Sequence, residues 1–127
     1  MKRSMLFAAV LLSGCAGAPV APDIAAAARE PLACSGPAQC DRYWQRARAW
    51  IAQYSRYAIQ SATDAELTTY GAQSGSVWLA YRITRIADPD GQAKIDMAAG
   101  CNNEIRCEPR PAEATAAFKL YVRNGPR

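Results

Sequence analysis

The sequence predicts an α+β fold. The expected form is a two-layer sandwich, with an antiparallel sheet of three to four strands and an N-terminal and a C-terminal helix packed on one face. Three observations carry this. Residues 42–54 and 112–123 repeat their apolar side chains with the helical period. The residues between them alternate with a period of two. The cluster Asp88-Pro89-Asp90-Gly91 then divides two alternating runs, as a hairpin turn does. A sheet with one apolar face and two amphipathic helices bury each other's apolar surface in two layers.

The chain opens with Lys2 and Arg3, followed by an uncharged apolar run from Met5 to Leu12. That run is too short to span a bilayer and has the length of the apolar region of an export signal. It ends in Leu12-Ser13-Gly14-Cys15. Here the chain resembles the precursors of bacterial lipoproteins, whose signal ends in Leu, two small residues and Cys. The resemblance implies that residues 1–14 are a signal peptide. It also implies that Cys15 is the lipid attachment site, acylated on its sulfur and on its new amino group. Two or more acyl chains give stable anchoring where one gives only reversible binding. Ala16 follows the cysteine, where the family places Asp for retention in the inner membrane. The implied location is the outer membrane, facing the periplasm. The competing reading is an ordinary signal peptide cut near Ala16 or Ala18.

Residues 15–33 are alanine-rich and punctuated by Gly17, Pro19, Pro22 and Pro31. They read as a flexible tether that lets a folded domain, residues 34–127, stand off the membrane. Removal of the signal takes two of the 15 basic residues and none of the 11 acidic ones, leaving a net charge of +2 instead of +4. That balance does not favour nucleic acid as a partner.

Cys34, Cys40, Cys101 and Cys107 remain once Cys15 is assigned to the lipid. An even count in an exported chain reads as two disulfides. Three pairings are open. The equal spacing favours the local ones, Cys34 with Cys40 and Cys101 with Cys107, each contributing about 2 kcal/mol in the chain-entropy model. Zinc is disfavoured, because the spacing is not that of CxxC pairs and the chain has no histidine. No metal and no cofactor is expected.

Ser35-Gly36-Pro37 is turn chemistry within the first cysteine loop, and Asp41 suits a helix N-cap. In the helix expected over 42–54, Tyr43, Trp44, Ala47, Trp50, Ile51 and Tyr54 fall within an arc of about 120°. Arg42, Arg46 and Gln53 fall opposite, as a solvated face. Strands are expected around residues 57–62 and 67–70, then over 76–86 and 92–100. Val77, Leu79, Tyr81 and Ile83 point inward from the third, and Ala93, Ile95, Met97 and Ala99 from the fourth. Pro109 and Pro111 suit a helix start. Ala114, Ala117, Phe118, Tyr121 and Val122 share the buried face of the last helix, which Asn124-Gly125-Pro126 stops.

The cysteine pair before a Trp-containing helix (Cys34, Cys40, Trp44, Trp50) and the late Cys101-Asn102…Cys107-Glu108-Pro109 element are similar to those of a family of small, uncharacterised proteobacterial lipoproteins. That resemblance brings no activity with it.

Three surfaces are candidates for function. Trp78, Arg82, Thr84, Lys94 and Asp96 are expected on the open face of the sheet as a partner surface. Arg42, Arg46 and Arg48 among the helix aromatics could bind anions or lipid headgroups, although the wheel separates the two sets. Asp64 and Glu66 are a carboxylate pair in a setting with nothing apolar to raise a pKa. Without histidine, a nucleophile elbow, a phosphate-cradling loop or a metal cluster, a catalytic centre is hard to assemble. The expected function is a non-enzymatic envelope module, with a lipid anchor in the membrane and an envelope protein or glycan as its partner. The alternative is a small inhibitor or accessory subunit of an envelope machine, acting through the loop from Asn102 to Arg106. A periplasmic hydrolase using Asp64 and Glu66 is the least favoured reading.

Overall fold

The Asp88–Gly91 turn joins the two longest strands. In the computed structural model, which describes residues 19–127, these are Ala80–Ala87 and Gln92–Gly100. The Asp88 amide donates to the Gln92 carbonyl at 2.8 Å, and the Gln92 amide donates to the Asp90 carboxylate at 3.1 Å. Gly91 takes φ +83°, a region in which other residues are strained.

Around this hairpin the described residues form an α+β fold with one antiparallel sheet of five strands. In chain order they are β1 (Ala33–Ser35), β2 (Ile59–Ala62), β3 (Glu66–Thr69), β4 (Ala80–Ala87) and β5 (Gln92–Gly100). Their order in space is β1-β5-β4-β3-β2. Three helices accompany them: α1 (Pro22–Arg29), α2 (Gly36–Tyr54) and α3 (Pro111–Asn124).

Alternation places Leu67, Tyr81, Ile83, Ala93 and Ile95 in the core and leaves Arg82, Lys94 and Asp96 exposed. Tyr43, Trp44, Ala47, Trp50 and Ile51 of α2 meet that core, as do Ala114, Phe118 and Val122 of α3. Trp50 joins three elements, because its ring meets Tyr81 of β4 and Phe118 of α3 edge-on, each at 5.4 Å. Full burial of a side chain such as Phe118 contributes roughly 1.5–3 kcal/mol.

Four sequence expectations need correction. The sheet has five strands rather than three to four. The missed strand, β1, is three residues long and too short to show a period, yet it pairs from Ala33↔Lys94 to Ser35↔Gln92.

The second concerns the tether. Residues 22–29 are helix and 33–35 strand, with α1 packed on α3. The Lys119 ammonium donates to the carbonyls of Ala28 and Glu30, both at 2.6 Å, and Arg123 donates to the Pro31 carbonyl at 2.8 Å. Leu32 is buried in the core. A helix with little apolar surface of its own is thus held by cations at its C-terminal carbonyls.

Third, α2 begins at Gly36, with Pro37 in its first turn. Asp41 therefore lies inside the helix and pairs with Arg85 at 3.1 Å rather than capping. Fourth, β4 begins at Ala80. Trp78 lies before it, in an isolated parallel bridge with Glu108.

The disulfides are the local pairs. Cys34–Cys40 ties β1 to α2, with 5.1 Å between Cα atoms, and Cys101–Cys107 closes the loop after β5, with 5.7 Å. The signal peptide assigned to residues 1–14, and Cys15, lie outside the described residues. Among the described residues no helix is long and apolar enough to cross a membrane.

Candidate functional site: an aromatic groove

The end of α2, the start of β4 and one side of α3 enclose a groove of about 620 Å³. Trp50 and Tyr54 stand one helical turn apart on α2, with ring centroids 5.5 Å apart. Tyr54 meets Tyr121 of α3 edge-on at 6.3 Å. Ala117 and Leu120 continue the α3 wall, and Leu79 and Tyr81 complete the floor. Ala117 is small enough to leave the space open.

The far wall carries Trp78, and hydrogen bonds hold it in place. The Tyr57 hydroxyl donates to the Ser76 hydroxyl at 2.7 Å and accepts from the Gln73 amide at 3.2 Å. Ser76 Oγ accepts from the Trp78 amide at 3.2 Å. The Glu108 amide donates to the Val77 carbonyl at 2.7 Å, which fixes Glu108 and Pro109 beside Trp78. The Glu108–Pro109 peptide is cis. Behind this wall, Asn103 donates to the Gly75 carbonyl at 2.9 Å, so the disulfide-closed loop braces it.

Four charged residues border the groove: Arg56, Arg127, Glu108 and Glu113. The Arg56 guanidinium lies 4.4 Å from the centre of the Trp78 ring, a cation–π contact. Glu108 pairs with Arg106 at 3.0 Å and Glu113 with Arg110 at 3.2 Å. Burial raises the Tyr81 phenol above its ordinary pKa, so it remains a protonated hydroxyl at neutral pH.

The structure divides the surface expected from Trp78, Arg82, Thr84, Lys94 and Asp96. Trp78 lines the groove, because the chain leaves the ladder before Ala80. The other four remain on β4 and β5. Arg82 pairs with Glu66 at 2.9 Å, and Thr84 stands opposite Asp96 in register.

The arginine helix also divides. Arg46 is half-buried rather than solvated, and donates to the carbonyls of Val122 and Arg123 at 2.9 and 3.0 Å. Tyr54, expected in the core, is 53% exposed at the groove. Asp64 lies in an exposed bend while Glu66 faces Arg82, so the carboxylates have different surroundings. Among the described residues no group of three or more acidic or cysteine side chains converges as a metal site.

Sequence reasoning missed the groove as a site. Its signals were Leu120, a large apolar residue off the buried stripe of α3, and Trp78 at the end of an alternating run. No family model, no curated protein and no solved structure matches the chain.

Proposed function

We propose that this protein is a lipid-anchored, periplasm-facing module of the bacterial cell envelope that binds a partner in its aromatic groove and catalyses no reaction. The Leu12-Ser13-Gly14-Cys15 motif supports the anchor. The groove supports the binding role: it is concave, mostly apolar, of ligand size, and braced along its Trp78 wall. Its Trp, Tyr and Arg lining is the composition that concentrates binding energy at interfaces.

Two experiments test the two halves. Cys15→Ser should release the protein from membranes, and persistent membrane association overturns the anchor. A photo-crosslinking residue replacing Leu120 in bacterial cells should give a discrete adduct of higher mass, and the same probe at Arg82 should not. An adduct from Arg82 alone returns the site to the sheet face.

One observation favours the inhibitor reading as second choice. Ile105 is 91% exposed on the loop closed by Cys101–Cys107, and Asn103 Oδ1 accepts from the amides of Ile105 and Arg106, both at 3.0 Å. A braced loop that displays one apolar side chain suits insertion into a partner's cleft. Ile105→Asp would abolish binding on that reading and leave it intact on the first.

A further inference from the structure

The two disulfides stand in different settings. Cys34 and Cys40 are 1% and 2% exposed and belong to the core, whereas Cys101 and Cys107 are only partly buried against it. The second bridge closes a short ring of chain, residues 101–107, that contains neither helix nor strand. None of residues 102–106 is buried, so no apolar packing of their own keeps them in place. Yet this stretch is what the Trp78 segment leans on. The Gly75 amide donates to the Asn102 carbonyl at 2.8 Å, and Asn103 Nδ2 donates to the Gly75 carbonyl at 2.9 Å. Glu108, the residue after the ring, donates its amide to the Val77 carbonyl at 2.7 Å and bridges to Trp78. On its other side the segment is held by the Tyr57 hydroxyl through Ser76.

From this we infer that the Cys101–Cys107 disulfide is a thiol-sensitive latch on the Trp78 wall of the groove. Oxidised, it holds the wall; reduced, it releases the wall and leaves the core intact. The latch stands on the wall's geometry, and its effect on binding rests on the groove being the binding site. A closed ring has few conformations, so the groups that meet Gly75 are already in position. With the ring opened, the loop must lose backbone freedom to make the same bonds, and it has no buried side chain to offset that cost. The other bridge is protected. Cys34 pairs with Ala93 in the ladder, and Cys40 lies on the buried face of α2, so an attacking thiol reaches them only when the core opens. The reductant is a dithiol. One of its thiolates attacks a sulfur of Cys101–Cys107, forms a mixed disulfide and expels the other cysteine as thiolate. Its second thiol then attacks the mixed disulfide. Two electrons pass in all, leaving Cys101 and Cys107 as thiols and the donor as a disulfide.

The test treats the full-length protein, in detergent, with dithiothreitol for graded times, followed by iodoacetamide and peptide mass analysis. Cys101 and Cys107 should become alkylated about tenfold faster or more than Cys34 and Cys40. Amide hydrogen exchange is then measured on protein reduced at that bridge alone. Exchange over residues 74–79 should accelerate by about tenfold or more, with α2, β4 and β5 unchanged. The double variant Cys101→Ser, Cys107→Ser should show the same local acceleration and an unaltered circular dichroism spectrum. If that variant misfolds, the selectively reduced wild-type chain gives the answer. Equal alkylation of the two bridges overturns the selectivity. Unchanged exchange over 74–79, or acceleration throughout the domain, overturns the latch. In cells, the adduct from position 120 should weaken about tenfold in the double variant. An undiminished adduct with the wall released overturns the control of binding. No adduct from the wild-type chain removes the groove as a binding site, while exchange over 74–79 still decides the latch.

Discussion

Arg46 closes the C-terminus of α3 at Val122: its guanidinium donates to the Val122 carbonyl at 2.9 Å and to that of Arg123 at 3.0 Å. These are among the last carbonyls of a helix, where no amide of the same helix remains to bond them. Removing the cation by Arg46→Met should cost about 1–3 kcal/mol, read as a lower urea midpoint. Arg46→Lys should recover only part, because an ammonium lacks the planar fork that serves two carbonyls. Wild-type stability in the Met variant would show that water serves those carbonyls equally well.

Gly125 follows the same helix end with φ +82°, and a Cβ there would lie 3.3 Å from Arg46 Nη2. Gly125→Ala should therefore destabilise by about 1–2 kcal/mol in thermal or urea unfolding. An unchanged midpoint would show that the helix end relaxes to accept the methyl group.

Lys119 holds α1 as Arg46 holds α3, through the carbonyls of Ala28 and Glu30. Lys119→Met should accelerate amide hydrogen exchange over residues 22–29 more than in the sheet, since α1 buries no residue fully. Equal acceleration everywhere would mean that α1 opens only with the whole domain.

Two buried groups oppose each other at alkaline pH. Burial raises the Tyr81 pKa above 10.0, so its folded value exceeds its unfolded one. Its contribution is fully present below pH 10.0 and is lost as pH rises through the folded pKa. Burial, then the nearby Arg123 charge, lowers the Lys119 pKa below 10.5. That penalty is present at neutral pH and is relieved as pH rises from the folded pKa towards 10.5. Urea midpoints across this range should fall less with pH in Tyr81→Phe than in wild type, and fall more in Lys119→Met. The opposite order would refute the assigned signs.

Ile95 is fully buried on β5. Ile95→Asp places a carboxylate in the core with no partner and should cost about 4 kcal/mol or more, giving unfolded or aggregated protein. A native-like circular dichroism spectrum would be incompatible with this register.

The inward sets of β4 and β5 were legible because a period of two needs only local sequence, and Tyr81, Ile83, Ala93 and Ile95 all follow it. The disulfides were legible because both bridges span the same short separation, which favours local closure. The position of Trp78 was not. Its parity placed it with Arg82, but pairing stops at Ala80, and contacts with Asn103 and Glu108 turn its segment towards α3.

Reading along the chain therefore reached the local features: the α+β class, the two amphipathic helices, the hairpin at Asp88–Gly91 and the inward faces of the strands. Each follows from the periodicity or turn preference of neighbouring residues. Packing in three dimensions added the rest. It docks α1 on Lys119, lets Arg46 close a helix 76 residues away, and gathers Trp50, Tyr54, Trp78 and Tyr121 around one groove. Those relations depend on which distant carbonyl or ring the folded chain brings within contact distance, and no periodicity along the sequence encodes that.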